Sequence, residues 1–248
     1  MMRHSLPLSG EGDVIVHHDD ATRRRAPRIW DTDWLVLRGL SRELDRMLAN
    51  VRVGGEALDF GCGVMPYRAL VEKRGLDYCG ADFASDADVT IGPDGRLPQD
   101  IRQADVVMSM QVLEHVADLD LYFAEAMRAM KHDGTLILST HGSWLYHPHP
   151  QDHRRWTRTG LQYDIEQRGF AVHEVVSIVG PLATTTIIRL TGFAWAVRRV
   201  PVVGGVLANA LAVVMNARAW VEDKLTPHQV SDYNGCIYLV RCLKAASL

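Results

Sequence analysis

The 248-residue chain has only four cysteines, Cys62, Cys79, Cys236 and Cys242, and no two of them form a CxxC pair. Neither a zinc site nor a disulfide framework is expected from such spacing, and a reducing compartment fits it best. Charge of one sign is missing too. With 27 Lys and Arg against 30 Asp and Glu the net charge is -3, which argues against a broad nucleic-acid surface but leaves room for a local basic patch. The first residues hold no apolar run of the kind that forms a signal-peptide core, and Arg23-Arg24-Arg25 leads to Pro27 rather than to one. A cytoplasmic location is expected. A long uninterrupted hydrophobic stretch is also lacking. Residues 201–221 approach the length of a membrane span, but Gly204, Gly205, Asn209, Asn216 and Arg218 interrupt them. A buried or interfacial helix is the better reading, with peripheral membrane contact through 181–221 left open.

What is present is ordinary for a globular protein: 47% hydrophobic and 23% charged residues. Residues 1–27 carry glycine, proline and the basic triplet without apolar period, and read as a flexible arm. One domain is expected over 28–248, with a helical insertion at about 181–223. From Asp31, Trp34, Leu37, Leu40, Leu44, Met47 and Leu48 recur at helical spacing. Short apolar runs then alternate with helical patterns. Strands are expected at 57–60, 78–82, 89–91, 105–110 and 134–140, with helices at 66–74 and 119–130. Thr157 suits the cap of a helix ending near Gly169, and strands at 171–179 and 235–243 follow. The predicted fold is α/β: a Rossmann-like, mostly parallel sheet with helices on both faces and an antiparallel closing strand.

The segment ALDFGCGVMPY at 57–67 carries the most chemistry, because a buried strand runs into a glycine turn and then a helix. Gly61 and Gly63 let the backbone turn tightly beside a ligand, placing N–H groups toward it. A dinucleotide fingerprint would need a third glycine where Pro66 stands. Asp59, just before the turn, would repel a pyrophosphate but can receive the ammonium group of an amino-acid moiety. S-adenosylmethionine is therefore favoured over NAD. Asp82, at the end of the next strand, stands where an acid bonds ribose hydroxyls.

Three linked segments, LDFGCG, the acid in GADF and DVVMSMQVLEHV at 105–116, resemble the class I S-adenosylmethionine-dependent methyltransferases, in particular the type 11 group. The resemblance covers about 57–140. It implies that Asp59, Gly61, Cys62 and Gly63 surround the amino-acid end of the cofactor, Asp82 the ribose and Asp94-Gly95 the adenine edge. It also implies that Met110 and Gln111 lie beside the methionine. Glu114 and His115 are expected to brace the loop after the fourth strand rather than touch substrate. The arm and first helix, with Trp30 and Trp34, are expected to fold over the cofactor.

Ligands of open α/β sheets sit beyond the carboxyl ends of the strands, so the residues after the fifth strand should face the reactive methyl. There His141, His147, His149 and His153 account for four of the chain's 11 histidines. Any of the four can serve as general base, His141 first because it follows the strand end directly. Trp144, Tyr146, Asp152, Arg155 and Trp156 supply faces and polar groups suited to a sugar. The HPHPxDHRRWTRTGL pattern resembles a loop of bacterial glycan and polysaccharide O-methyltransferases. O-methylation of a sugar or oligosaccharide hydroxyl is the leading expectation. A lipid or quinone acceptor at a membrane surface is the alternative, and a cofactor-binding protein without turnover is a third. No metal is expected, since the two His-Pro pairs fix no ligand set on one face. The acceptor's identity and the oligomeric state stay open.

Overall fold

A computed structural model describes residues 22–148 and 151–245. Most of residues 1–27, together with His149, therefore lie outside the described residues. Residues 22–25 form one helical turn. The chain then runs through α1 (Trp34–Leu48), β1 (Glu56–Phe60), α2 (Arg68–Lys73), β2 (Asp77–Asp82), β3 (Val89–Thr90) and β4 (Ala104–Met110). It continues through α3 (Leu119–Ala129), β5 (Met130–His141), α4 (Arg158–Glu166) and β6 (Phe170–Ile178). Helices α5 (Pro181–Val197), α6 (Gly204–Leu225) and α7 (His228–Tyr233) precede β7 (Ile237–Lys244).

The seven strands form one sheet in the order β3-β2-β1-β4-β5-β7-β6. All pairs from β3 to β5 are parallel, while β7 runs antiparallel to both β5 and β6. Chain order reverses between β1 and β4, which opens a crevice beyond their carboxyl ends. Strand alternation builds a core on each face. Leu58, Val107, Leu136 and Leu138 meet Tyr122, Phe123 and Ala126 of α3 and Leu161 and Ile165 of α4. On the other face Ala57, Val106, Met108 and Ile137 meet the Leu40, Leu44 and Met47 stripe of α1.

Most element bounds differ from the expected ones by one to four residues, and two starts stand out. Helix α2 starts two residues late, at Arg68, with Tyr67 in the N-cap position and no side-chain cap bond. Strand β5 begins at Met130 rather than at Gly134, because the ladder with β4 starts at Ala104 and Met130 and then shifts register before Val106. The cap at Thr157 is as expected, its Oγ1 accepting from the Gly160 amide at 3.1 Å.

Helices α5 and α6 form an antiparallel hairpin. Ala183 and Ile187 of α5 and Ala219 of α6 join the core on the α1 side. Farther out, Leu190, Ala194, Ala208 and Ala212 pack only among themselves and their hairpin neighbours. Asn216 ties α6 down by donating to the carbonyls of Ile29 and Asp31 at 2.7 and 2.8 Å.

Candidate functional site

At the end of β1, Gly61 has a φ of +85°, a conformation glycine adopts without strain. A Cβ there would meet Val112 Cγ2 at 2.6 Å. Gly63 also has positive φ, and no atom of the described residues lies within 4 Å of where its Cβ would be. The loop is braced against β2. The Gly61 and Cys62 amides both donate to the Ala81 carbonyl, at 2.8 and 3.1 Å, and the Gly63 amide donates to Asp82 Oδ2 at 2.8 Å. This corrects the expectation that these N–H groups point at a ligand: they hold the turn in shape. The Cys62 side chain is buried against β2, where Gly80 leaves room for its sulfur. Met110 likewise packs into the core with Val106 and Met108.

Asp59 is 1% exposed. Its Oδ2 accepts from the Tyr78 hydroxyl at 2.7 Å, while Oδ1 is buried with no hydrogen-bond partner among the described residues. Burial pushes this carboxyl up to about 7, against the lowering effect of Tyr78 and with a further push from the Asp82 charge. A buried acceptor with an open valence fits a cationic donor. Asp82 closes β2, and its Oδ1 accepts from the Phe83 amide at 2.7 Å. Asp94 is exposed and pairs with Arg96 at 3.5 Å beside the positive-φ Gly95.

Gln111 follows β4 with a φ of +58°, a strained value for a residue with a side chain. Its Oε1 accepts from Arg24 Nη1 at 2.6 Å, and its Nε2 lies 3.3 Å from His141 Nε2. On the other side of that ring His141 Nδ1 is 2.6 Å from Glu114 Oε1, and Thr140 Oγ1 donates to Glu114 Oε2 at 2.8 Å. Glu114 is wholly buried; burial pushes its carboxyl up, but His141 and Thr140 outweigh this and hold it below the ordinary range. The contact of Glu114 Oε1 with His141 Nδ1 is one of distance and charge, since neither of these two atoms meets hydrogen-bond geometry among the described residues. With Nδ1 toward the carboxylate, Nε2 is the nitrogen that faces Gln111 and the crevice.

The loop after β5 folds back over the loop after β4. The His153 amide donates to the Glu114 carbonyl at 2.8 Å, Arg154 donates to the carbonyls of Val116 and Ala117, and His115 Nδ1 contacts the Gln151 carbonyl. This brings His147 to the site: its ring lies edge-on to His115 and His141, with centroids 4.9 and 5.5 Å away. Burial, with the neighbouring histidines, lowers the pKa of His147 to about 4. Trp144 lies parallel to His141, centroids 6.1 Å apart, and Tyr146 is 75% exposed.

Three expected acceptor contacts are spent inside the protein. Arg155 is paired with Asp152 and donates to the Leu145 carbonyl at 2.6 Å, and Asp152 Oδ2 accepts from the His147 amide at 2.8 Å. The hydrogen bonds from Arg155 hold the Asp152 carboxyl down to about 2. Trp156 is buried and donates from Nε1 to Asp164 at 2.8 Å, so it anchors α4. His153 is exposed, and its described contact is the backbone bond to Glu114. Glu114, His115 and His147 offer ligand atoms within 4.8 Å of one another, enough to hold a metal ion, but Glu114 is already engaged by His141 and Thr140.

Arg24 and Tyr78 enter the site without having stood out in the sequence. The charge of the Arg23-Arg25 run was visible, but its reach to Gln111 depends on a turn far off in sequence. Trp34 packs against the α1-side core and Trp30 is 42% exposed, so Arg24 rather than either tryptophan makes the described contact with the crevice. A cavity of about 210 Å³ lined by Arg24, Pro66 and Tyr67 adjoins the glycine loop. A larger one, about 360 Å³, lies at the opposite end of the sheet beside Arg52, Asp105 and Lys131, away from this chemistry.

The family described as a methyltransferase domain matches residues 34–175. A ubiquinone biosynthesis O-methyltransferase of Mesorhizobium japonicum is 28% identical over an alignment of 102 residues, which covers 35% of this chain and 41% of that relative's length. Among solved structures, a mycolic acid cyclopropane synthase complexed with SAH and CTAB shares 16% identity, covers 91% of this chain and 94% of its own, and has a TM-score of 0.53. The 4+2 cyclase SpnF has a TM-score of 0.54 at 15% identity, covering 86% and 83%. The phosphoethanolamine N-methyltransferase 2 of Haemonchus contortus, in complex with phosphomonomethylethanolamine and S-adenosylhomocysteine, has a TM-score of 0.51 at 16% identity, covering 84% and 53%. At such identities these likenesses establish the Rossmann-like fold alone.

Proposed function

The chain belongs to the methyltransferase domain family, and from that premise we propose that it uses S-adenosylmethionine to methylate a hydroxyl oxygen, with His141 as the base. The residues present fit the cofactor. Asp59 has a buried, unpartnered oxygen for the ammonium group, Gly63 leaves its approach open, and Asp82 ends β2 where ribose hydroxyls would bond. Asp94-Gly95 and Gln111 are assigned to the adenine edge and the methionine end. When bound, S-adenosylmethionine supplies an already activated methyl group, so the protein's task is positioning, water exclusion and removal of one proton.

The observation that carries the reading is the pairing of His141 with the buried Glu114 at the carboxyl ends of β4 and β5. A carboxylate on Nδ1 stabilises the imidazolium that forms when Nε2 takes the hydroxyl proton. Gln111, held by Arg24, occupies Nε2 in this structure and gives way to the acceptor. His147, kept neutral by its lowered pKa, adds no competing charge.

For the acceptor, a sugar or oligosaccharide hydroxyl draws support from the Trp144 face beside His141 and from exposed Tyr146. A lipid or quinone hydroxyl is favoured instead by the likeness to a ubiquinone biosynthesis O-methyltransferase and by the apolar hairpin. Mass spectrometry with isotopically labelled cofactor and a panel of glycans, lipids and phenols separates the two by which class gains a methyl group. Single-turnover measurement tests the base: His141→Ala should slow transfer by roughly 10²–10⁴-fold with cofactor affinity nearly intact. A folded variant transferring methyl at the parent rate removes the base assignment, and cofactor binding without turnover on any acceptor removes the enzymatic reading.

A further inference from the structure

The α5–α6 hairpin is apolar around its circumference, a composition that belongs in a protein core or a lipid phase. Yet only 28% of the apolar window of α6 is buried. Exposed large side chains run along the hairpin, Leu182, Val214, Trp220 and Leu225 among them, and are densest at the free end: Phe193 and Trp195 in the last turns of α5, Val202 in the tip, and Val206 and Leu207 opening α6. The other end is fixed to the domain. Ala183, Ile187 and Ala219 lie in the core there, and the Gly180 amide donates to Asp223 at 2.8 Å.

Charge follows the same direction. Residues 181–221 hold four arginines, Arg189, Arg198, Arg199 and Arg218, and no Asp or Glu, in a chain whose net charge is -3. Arg198 and Arg199 are exposed at the tip, and the Arg199 guanidinium lies over the Trp195 ring, 3.2 Å from its centroid. Tryptophan beside a cation suits the boundary between lipid headgroups and acyl chains.

Val202 is the most telling residue. It is 100% exposed, and its φ of +66° is a conformation that a β-branched side chain strongly disfavours. In water an isopropyl group there makes no packing contact and strains the turn, where glycine would do neither.

We propose that the hairpin tip inserts into the headgroup region of an anionic lipid bilayer, seating the enzyme on the membrane surface. The α6 helix does not span. Its portion beyond the Asn216 anchor, Gly204 to Met215, is about 12 residues or roughly 18 Å, short of the ~30 Å hydrocarbon core. This inference stands apart from the identity of the acceptor and from the catalytic assignment.

Co-sedimentation of the full chain with phosphatidylcholine vesicles, with and without phosphatidylglycerol, tests it. The protein should partition onto the anionic vesicles at least about tenfold more strongly than onto the neutral ones. Arg198→Gln/Arg199→Gln should erase that preference, and Val206→Asp should abolish binding. Val202→Gly is the decisive variant: it should raise the melting temperature by relieving the turn while weakening vesicle binding. No sedimentation of the parent protein with either vesicle overturns the proposal. So does a dimer, by analytical ultracentrifugation, that is lost in Val206→Asp while vesicles bind neither form, because the occupant is then a second copy. Equal vesicle binding by the parent and the Val202→Gly and Val206→Asp variants overturns it as well.

Discussion

Asp59 shows how one buried oxygen links sequence to ligand. Its carboxyl sits near 7 in the fold and near the ordinary 3.8 in an unfolded chain, so the folded state holds a proton that the unfolded state has lost between those values. Stability associated with Asp59 is intact below about pH 4 and is lost as pH rises through 7. Asp59→Asn should therefore gain on the parent by roughly 2–4 kcal/mol across that window, measured by denaturant unfolding at several pH values. Parallel profiles would mean the carboxylate is already compensated in the free protein. Asp59, Gly61, Gly63 and Asp82 were legible in the sequence because a strand entering a glycine turn is a local pattern. The Glu114–His141 pair was not, since its members are brought together only by the parallel pairing of β4 with β5 and the 3₁₀ turn at Leu113–His115. Counting aromatic and charged residues in the loop after β5 also misled, because spacing does not reveal that Asp152 and Arg155 satisfy each other or that Trp156 turns inward.

Among the elements, that loop sets how well the acceptor side of the site is ordered. Arg155 joins Asp152 to the Leu145 carbonyl, and Asp152 in turn holds the His147 amide, so one ion pair closes both ends of the segment. Asp152 is nearly buried in this pair, with 2% of its side chain exposed. Arg155→Ala leaves that carboxylate unpaired and should cost about 1–3 kcal/mol. Amide exchange at 144–156 should speed up, and the acceptor KM should rise more than kcat falls. Unchanged exchange there would show that the contacts of Arg154 and His153 with the β4 loop suffice. The strands that frame this loop were readable as short apolar runs and the helices from a period of 3.6, as α1 shows with Leu40, Leu44 and Met47 on one face. The loop's path was not, because its partners are carbonyl groups, which every residue offers alike.

On the scale of the whole molecule, strand order rather than any one side chain gathers the site. Reversal between β1 and β4 brings the glycine loop, Gln111 and His141 to one edge of the sheet, and the hairpin leaves the domain after β6. Alternating strands and helices announced a parallel sheet, whereas the placement of β7 between β5 and β6 required the fold itself. The central claim is that this edge binds S-adenosylmethionine as methyl donor. Isothermal titration calorimetry on the parent and on Gly61→Val tests it most directly, because a branched side chain at a φ of +85° must also displace Val112. The parent should bind S-adenosylmethionine and its demethylated product without binding NAD comparably, and the folded Gly61→Val variant should bind neither nucleoside. Undiminished affinity in that variant, or NAD bound as tightly as S-adenosylmethionine by the parent, would contradict the account.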